Sequence, residues 1–210
     1  LSITVIFAVK MGLRLMIKQF CRWLRDLFSW RCLLSYDELI QLIDNGVIDA
    51  PKSAVQGSTI DLTLHRYVKT EAFGPKMDTV YLARGQSITM VEHDIREDPH
   101  ILKPDAVMLA STNEYFNMPC NLSAEFSLKS TLGRSFVGHQ LAGWIDPYFK
   151  GKITLEITND TQFHRLAFEE NMPIGQVKFF RHKKVPFLAG YAKRGQYNRQ
   201  MQVTEAGILK

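Results

Sequence analysis

No two cysteines in this sequence share the spacing of a disulfide framework or a metal clip. Cys21, Cys32 and Cys120 are odd in number and scattered, which fits a reducing compartment better than a small stapled domain. Long apolar runs are missing too. The one candidate, near the N-terminus, is interrupted by Lys10, Arg14 and Lys18. It therefore falls short of the roughly 20 consecutive apolar residues that span a bilayer as a helix. There are no internal repeats, no low-complexity tract and no linker that would split the body. An excess of one charge is also absent from most of the chain. Of 26 Lys and Arg and 21 Asp and Glu in 210 residues, six basic residues and Asp26 alone fall in residues 1–32. That leaves 20 of each sign in residues 33–210. The net +5 sits wholly in the N-terminal arm, and the neutral body argues against a nucleic-acid binder.

The arm has a pattern of its own. Leu13, Met16, Ile17, Phe20, Trp23, Leu24, Leu27 and Phe28 recur at helical spacing, with Arg14, Lys18, Arg22 and Arg25 on another face. Basic amphipathic helices of this kind can lie on anionic membranes. The pattern is not that of a signal peptide, because the charges come inside and after the apolar run and no small-residue cleavage site follows. The chain opens on Leu, and Met11 and Met16 offer alternative starts. Residues 1–32 are therefore expected to be a dispensable extension or a misassigned start rather than a membrane anchor.

The chain as a whole is 46% hydrophobic, and residues 33–210 suit one globular domain with a sizeable core. Ser35-Tyr36-Asp37-Glu38 is a capping-box pattern ahead of Leu39, Leu42 and Ile43, which predicts one short helix ending near Gly46. Afterwards strands dominate: Ile60 to Leu64, Tyr81, Ala106 to Leu109, Lys152 to Thr158 and Gln176 to Phe180. Turn signals fall at Gly74-Pro75, Arg84-Gly85, Pro119, Asp146-Pro147 and Gly151. Many short strands with little helix predict a mainly β fold, a distorted barrel or jelly roll.

The most informative stretch runs from Ser130 to Asn159. In its last part Ile153, Leu155 and Ile157 would face one side of a strand, and Thr154, Glu156 and Thr158 the other. Burying a carboxylate among β-branched residues is costly unless chemistry or a partner requires it. Glu156 is therefore the lead catalytic candidate.

This stretch, LKSTLGR followed by HQLAGWIDPYFKGKITLEI, resembles the dCTP deaminase family within the dUTPase-like superfamily. Flanking matches keep the family's order from about Cys32 to Gln202: LLSYDELIQLIDNGVI, STIDLTL, STNEYFNMP, MPIGQVKF and the tail GYAKRGQYNRQ. The resemblance implies a dUTPase-like fold, a homotrimer with sites between subunits, and zinc-independent deamination of dCTP to dUTP in the cytoplasm of a bacterial or phage-infected cell. It also implies roles for individual residues. Glu156 would activate a water and shuttle its protons. Ser130 and the Ala142 carbonyl would help hold that water, and Arg134 would orient the glutamate. Lys129, Thr131, Leu132 and Gly133 would face the phosphates, although Lys129 lacks the fork of the arginine usual there. Asp146 would accept the deoxyribose 3′-hydroxyl. Thr154, Leu155 and Gln176 would lie near the nucleotide, and Tyr191, Gln196 and Gln200 would belong to a tail that closes over it. His139 is read as a structural or supporting histidine and not as the base, since Glu156 already has that role.

Trp144 stands where strictly monofunctional relatives often carry arginine. AGWID is typical of relatives that also cleave the triphosphate to dUMP and pyrophosphate, so that second activity is an alternative. A dUTPase alone, or a catalytically silent nucleotide-binding regulator, are others. Zinc is not expected: Pro119-Cys120 lacks a second cysteine, and no His-x-Glu pair occurs. Mg²⁺ held mainly by the triphosphate is the expected metal, with no protein ligand assigned.

Overall fold

The computed structural model describes residues 32–73, 79–84 and 86–207. The amphipathic pattern of the arm, and the turn signals at Gly74-Pro75 and Gly85, lie outside the described residues. Helix α1 (Tyr36–Asp44) buries Leu39 and Leu42. The Ser35 N–H donates to Glu38 Oε2 at 3.2 Å, so the carboxylate takes one of the donors that a helix start leaves unpaired. Its other oxygen pairs with Arg181 at 2.9 Å. Gly46, at φ 66°, turns the chain away after the helix.

Beyond α1 the regular structure is mostly strand. β1 (Ile60–Thr63), β7 (Leu122–Leu128), β9 (Trp144–Ile145) and β13 (Pro173–Arg181) form a four-stranded antiparallel sheet in the order β1-β13-β7-β9. β2 (Tyr67–Glu71), β3 (Met90–Asp94), β5 (Val107–Ser111), β8 (Val137–His139) and β11 (Thr154–Asn159) form a second antiparallel sheet, ordered β3-β2-β5-β11-β8. Two small pairs complete the set: β4 (His100–Leu102) with β12 (Leu166–Phe168), and β6 (Phe116–Asn117) with β10 (Lys150–Gly151). The fold is mainly β, as the sequence predicts. The described strands form these separate sheets and not one closed barrel.

The core is contiguous. Leu34, Ile60, Leu62, Phe116, Leu155 and Phe179 are all fully buried within it. Local differences from the sequence reading are small. Tyr81 is not in a strand but precedes a 3₁₀ turn, Leu82–Arg84. The Ser130–Arg134 turn is a one-turn helix, α2, closed by the Gly133 N–H to the Lys129 carbonyl at 3.1 Å. A third short helix, α3 (Tyr191–Arg194), lies in the C-terminal segment. Among the described residues no helix is long and apolar enough to cross a membrane.

Leu155 sits on the central strand with no exposed surface. Leu155→Ala is expected to cost about 2–5 kcal/mol of unfolding free energy. Urea denaturation at unchanged slope measures this, and a loss under about 1 kcal/mol contradicts the burial assigned to it.

Candidate active site

Side chains alternate across β11: Leu155 and Ile157 enter the core, while Thr154, Glu156 and Thr158 face the other way. Register carries that second face sideways. Glu156 is opposite Leu109 on β5, and Leu109 is opposite Lys69 on β2, so the three lie in a row on one face. Thr154, Glu156 and Leu109 floor a cleft of about 330 Å³. One wall is Ala142, Trp144 and Asp146. The tail supplies the other, through Tyr191, Tyr197, Gln200 and Thr204–Ala206.

The tail is held by backbone contacts. Gln200 forms a parallel bridge with Gly151, and the Lys152 N–H donates to the Gln200 carbonyl at 2.9 Å. Gly151 has φ 137°, and a Cβ there would stand 2.7 Å from that carbonyl oxygen, so only glycine admits the tail so closely. Further along, the Thr204 N–H reaches Thr154 Oγ1 at 3.3 Å, and Glu205 pairs with Lys69 at 2.9 Å. Tyr191 packs edge-on against Phe149, and its hydroxyl accepts the Tyr197 N–H at 3.3 Å. Burial pushes the Tyr191 hydroxyl above its ordinary pKa.

Glu156 is half-buried, its side chain 27% exposed. Its Oε2 is shut off from solvent and has no hydrogen-bond partner. It faces His139 Nε2 at 3.6 Å, a nitrogen that is likewise buried and unpartnered. Desolvation raises the pKa of Glu156 and lowers that of His139, so burial drives both toward their neutral forms. His139, 5% exposed, also packs edge-on against Phe126. A carboxyl with a raised pKa and one unsatisfied oxygen in a cleft is equipped to take and return a proton.

Of the residues singled out in the sequence, the cleft brings together Ala142, Asp146, Thr154, Glu156, Tyr191 and Gln200. The side chain of Leu155 points into the core instead. Gln196 lies in the tail against Gly207. The phosphate-facing group does not line this cleft. Lys129 precedes α2 and pairs with Asp61 at 2.6 Å, while Ser130, Thr131, Gly133 and Arg134 are exposed. Leu132 packs against the core. Gln176 on β13 is opposite Asp61 and accepts the Thr59 hydroxyl at 3.3 Å. The lining residues include three carboxylates, Asp146, Glu156 and Glu205, and no Lys or Arg. Sequence reasoning missed Leu109 and Met90, which arrive by strand register, and Tyr197, Thr204 and Glu205, which arrive with the tail. Among the described residues, no group of three or more His, Cys, Asp or Glu is placed to hold a metal ion.

This architecture has a counterpart among solved structures. The solved structure of 2′-deoxycytidine 5′-triphosphate deaminase from Agrobacterium tumefaciens superposes with a TM-score of 0.57 at 20% identity, over 71% of this chain and 49% of that one. A family profile described as dCTP deaminase-like matches residues 33–182, and the chain belongs to that family. A protein named "dCTP deaminase, dUMP-forming" from Streptomyces coelicolor is 36% identical over 159 residues, 71% of this chain and 80% of the relative. A protein of the same name from Methanocaldococcus jannaschii is 44% identical over 89 residues, 41% of this chain and 42% of the relative.

The raised pKa of Glu156 makes a stability prediction. The folded protein holds this proton more tightly than the unfolded chain does. The native carboxyl is therefore stabilising below its unfolded pKa, and that contribution is lost as pH rises through the folded value. Gln has no charge to desolvate. Glu156→Gln should melt above the wild type near about pH 8, with the gap shrinking toward about pH 4. Calorimetry across that range decides, and a gap that is negative or flat with pH contradicts the assigned burial penalty.

Proposed function

We propose that this chain deaminates dCTP by hydrolysis, with Glu156 as its proton carrier. The observation that carries this reading is the half-buried Glu156 on the cleft floor, with one oxygen unpartnered. In the proposed reaction Glu156 takes a proton from a water held by the Ala142 carbonyl and by Ser130 of a neighbouring copy, whose Arg134 lies on the same α2 turn. The hydroxide adds to C4 of the cytosine. Glu156 gives that proton to the ring nitrogen, then carries the proton of the new C4 hydroxyl to the departing amino group. The C4–N bond breaks, ammonia leaves, and the carbonyl of uracil forms. One water is consumed per ammonia released. Arg134 supports the carboxylate, and Asp146 accepts the sugar 3′-hydroxyl.

Phosphate binding calls for a second copy of the chain. The cleft lining holds no Lys or Arg, and Lys69 beside it is paired with Glu205, so it offers a triphosphate no cation of its own. Lys129 and the α2 turn, standing apart from that cleft, would serve the cleft of a neighbouring copy in a homotrimer. Mg²⁺ would travel with the triphosphate, neutralising part of its charge, and no side chain is assigned to it. A second reading, continuation to dUMP and pyrophosphate, is supported by Trp144 in the cleft and by relatives named dUMP-forming.

Purified protein with dCTP and Mg²⁺, monitored by chromatography of dCTP, dUTP and dUMP, tests the proposal. Loss of dCTP is expected, with dUMP and pyrophosphate appearing if the second reading holds and dUTP accumulating if it does not. Glu156→Gln should lower the deamination rate by about a thousandfold. A Glu156→Gln protein that keeps deaminating overturns the mechanism. Hydrolysis of dUTP alone would mark a dUTPase, and tight nucleotide binding without turnover a regulatory binding protein.

A further inference from the structure

We infer that Trp144 is the positioning residue that sets Asp146, and that through this carboxylate it selects nucleotides bearing a sugar 3′-hydroxyl. The inference deepens the deaminase reading and rests on it. Trp144 and Asp146 lie two residues apart where β9 ends, and both line the cleft. The Trp144 Nε1–H donates to Asp146 Oδ1 at 3.1 Å. An indole nitrogen can only donate, and an ionised carboxylate can only accept. The contact therefore has one polarity, and the charge on the acceptor strengthens it.

The donor is itself fixed. The Trp144 ring stacks on Phe180 of β13, with centroids 6.0 Å apart and planes at 22°. Its backbone is held by β7, where Trp144 is opposite Glu125. Trp144 is nevertheless 57% exposed, so core packing does not account for an aromatic residue here. With Oδ1 held, the plane of the carboxylate is set. Oδ2 accepts no hydrogen bond within the described residues. It is left to accept from a ligand. On a cytosine deoxynucleotide the donors are the exocyclic amino group, which the reaction takes to Glu156, and the 3′-hydroxyl. A carboxylate free to rotate would still attract that hydroxyl but would lose geometry. A site built to bond a hydroxyl rejects analogues that lack it, because its own polar group is then left unpaired.

The test compares dCTP with 2′,3′-dideoxycytidine triphosphate in the wild type, in Trp144→Phe, which keeps the stack and loses the donor, and in Trp144→Arg, which keeps a planar donor. The wild type should prefer dCTP by about a hundredfold or more in kcat/KM. Trp144→Phe should raise KM for dCTP about tenfold with kcat within about twofold, and leave the dideoxy substrate unchanged. The preference then falls about tenfold, and Trp144→Arg restores most of it. No preference in the wild type, or a Trp144→Phe protein with its preference intact, overturns the inference.

A second measurement needs no turnover. The indole N–H resonance of Trp144 in the ligand-free protein, assigned by its loss in Trp144→Phe, should move in Asp146→Asn, which replaces the carboxylate acceptor by an amide. If the wild type processes neither substrate, the deaminase reading fails, and this resonance still decides the pair: coupling to Asp146 upholds the positioning role and its absence overturns it.

Discussion

A period of two along β11 is the constraint on which the cleft depends. Leu155 and Ile157 are fully buried, and their burial sets which face Glu156 takes. Shifting the strand by one residue would send the carboxylate into the core and two apolar side chains into the cleft. Pairing on both edges guards against that slip. β5 matches β11 from Thr154 to Thr158, and β8 matches it from Ile157 to Asn159. The same two strands bring Leu109 and His139 to Glu156. One strand thus spends its apolar half on stability and its polar half on a desolvated carboxyl whose raised pKa equips it to exchange protons.

Electrostatics then separates the molecule into two regions. The cleft gathers Asp146, Glu156 and Glu205 with no Lys or Arg in its lining, and Lys69 beside it is paired with Glu205. Lys129 is occupied by Asp61 on the other sheet, and Arg134 is exposed on α2. The first has no Lys or Arg in its lining, and the second carries Lys129 and Arg134. The proposed homotrimer would bring the two together, closed symmetry being the ordinary way for one chain to supply both parts. The tail belongs to the acidic region. Its seat depends on Gly151 for close approach and on Lys69 for an ion pair across the strand row that holds Glu156.

Local patterns were legible in the sequence, and long-range pairings were not. The capping box before α1 and the alternation of β11 are nearest-neighbour signals, and both elements formed where expected. Glu156 stood out because a charge breaks an apolar, β-branched context. The resemblance pointed to Asp146, Ala142, Tyr191 and Gln200, which line the cleft, and to Gln196, which does not. Leu109 and Met90 could not be anticipated, because register between β3, β2, β5 and β11 is set by core packing and not by any motif in those strands. Thr204 and Glu205 join the site only through the fold of the tail, whose backbone bonds depend on Gly151. The Ser130–Arg134 segment is too short for a periodic signal, yet it closes one helical turn.

The central claim is that the glutamate of one copy works with the α2 turn of the next. Coexpression of two inactive variants, Glu156→Gln and Arg134→Ala, tests it most directly. With random assembly about three trimers in four would be mixed, and each of these would have one site of three combining an intact Glu156 from one chain with an intact Arg134 from its neighbour, so activity should return to about 25% of the wild type. A mixed preparation, verified to contain hybrid trimers, that stays as inactive as either parent would contradict the account.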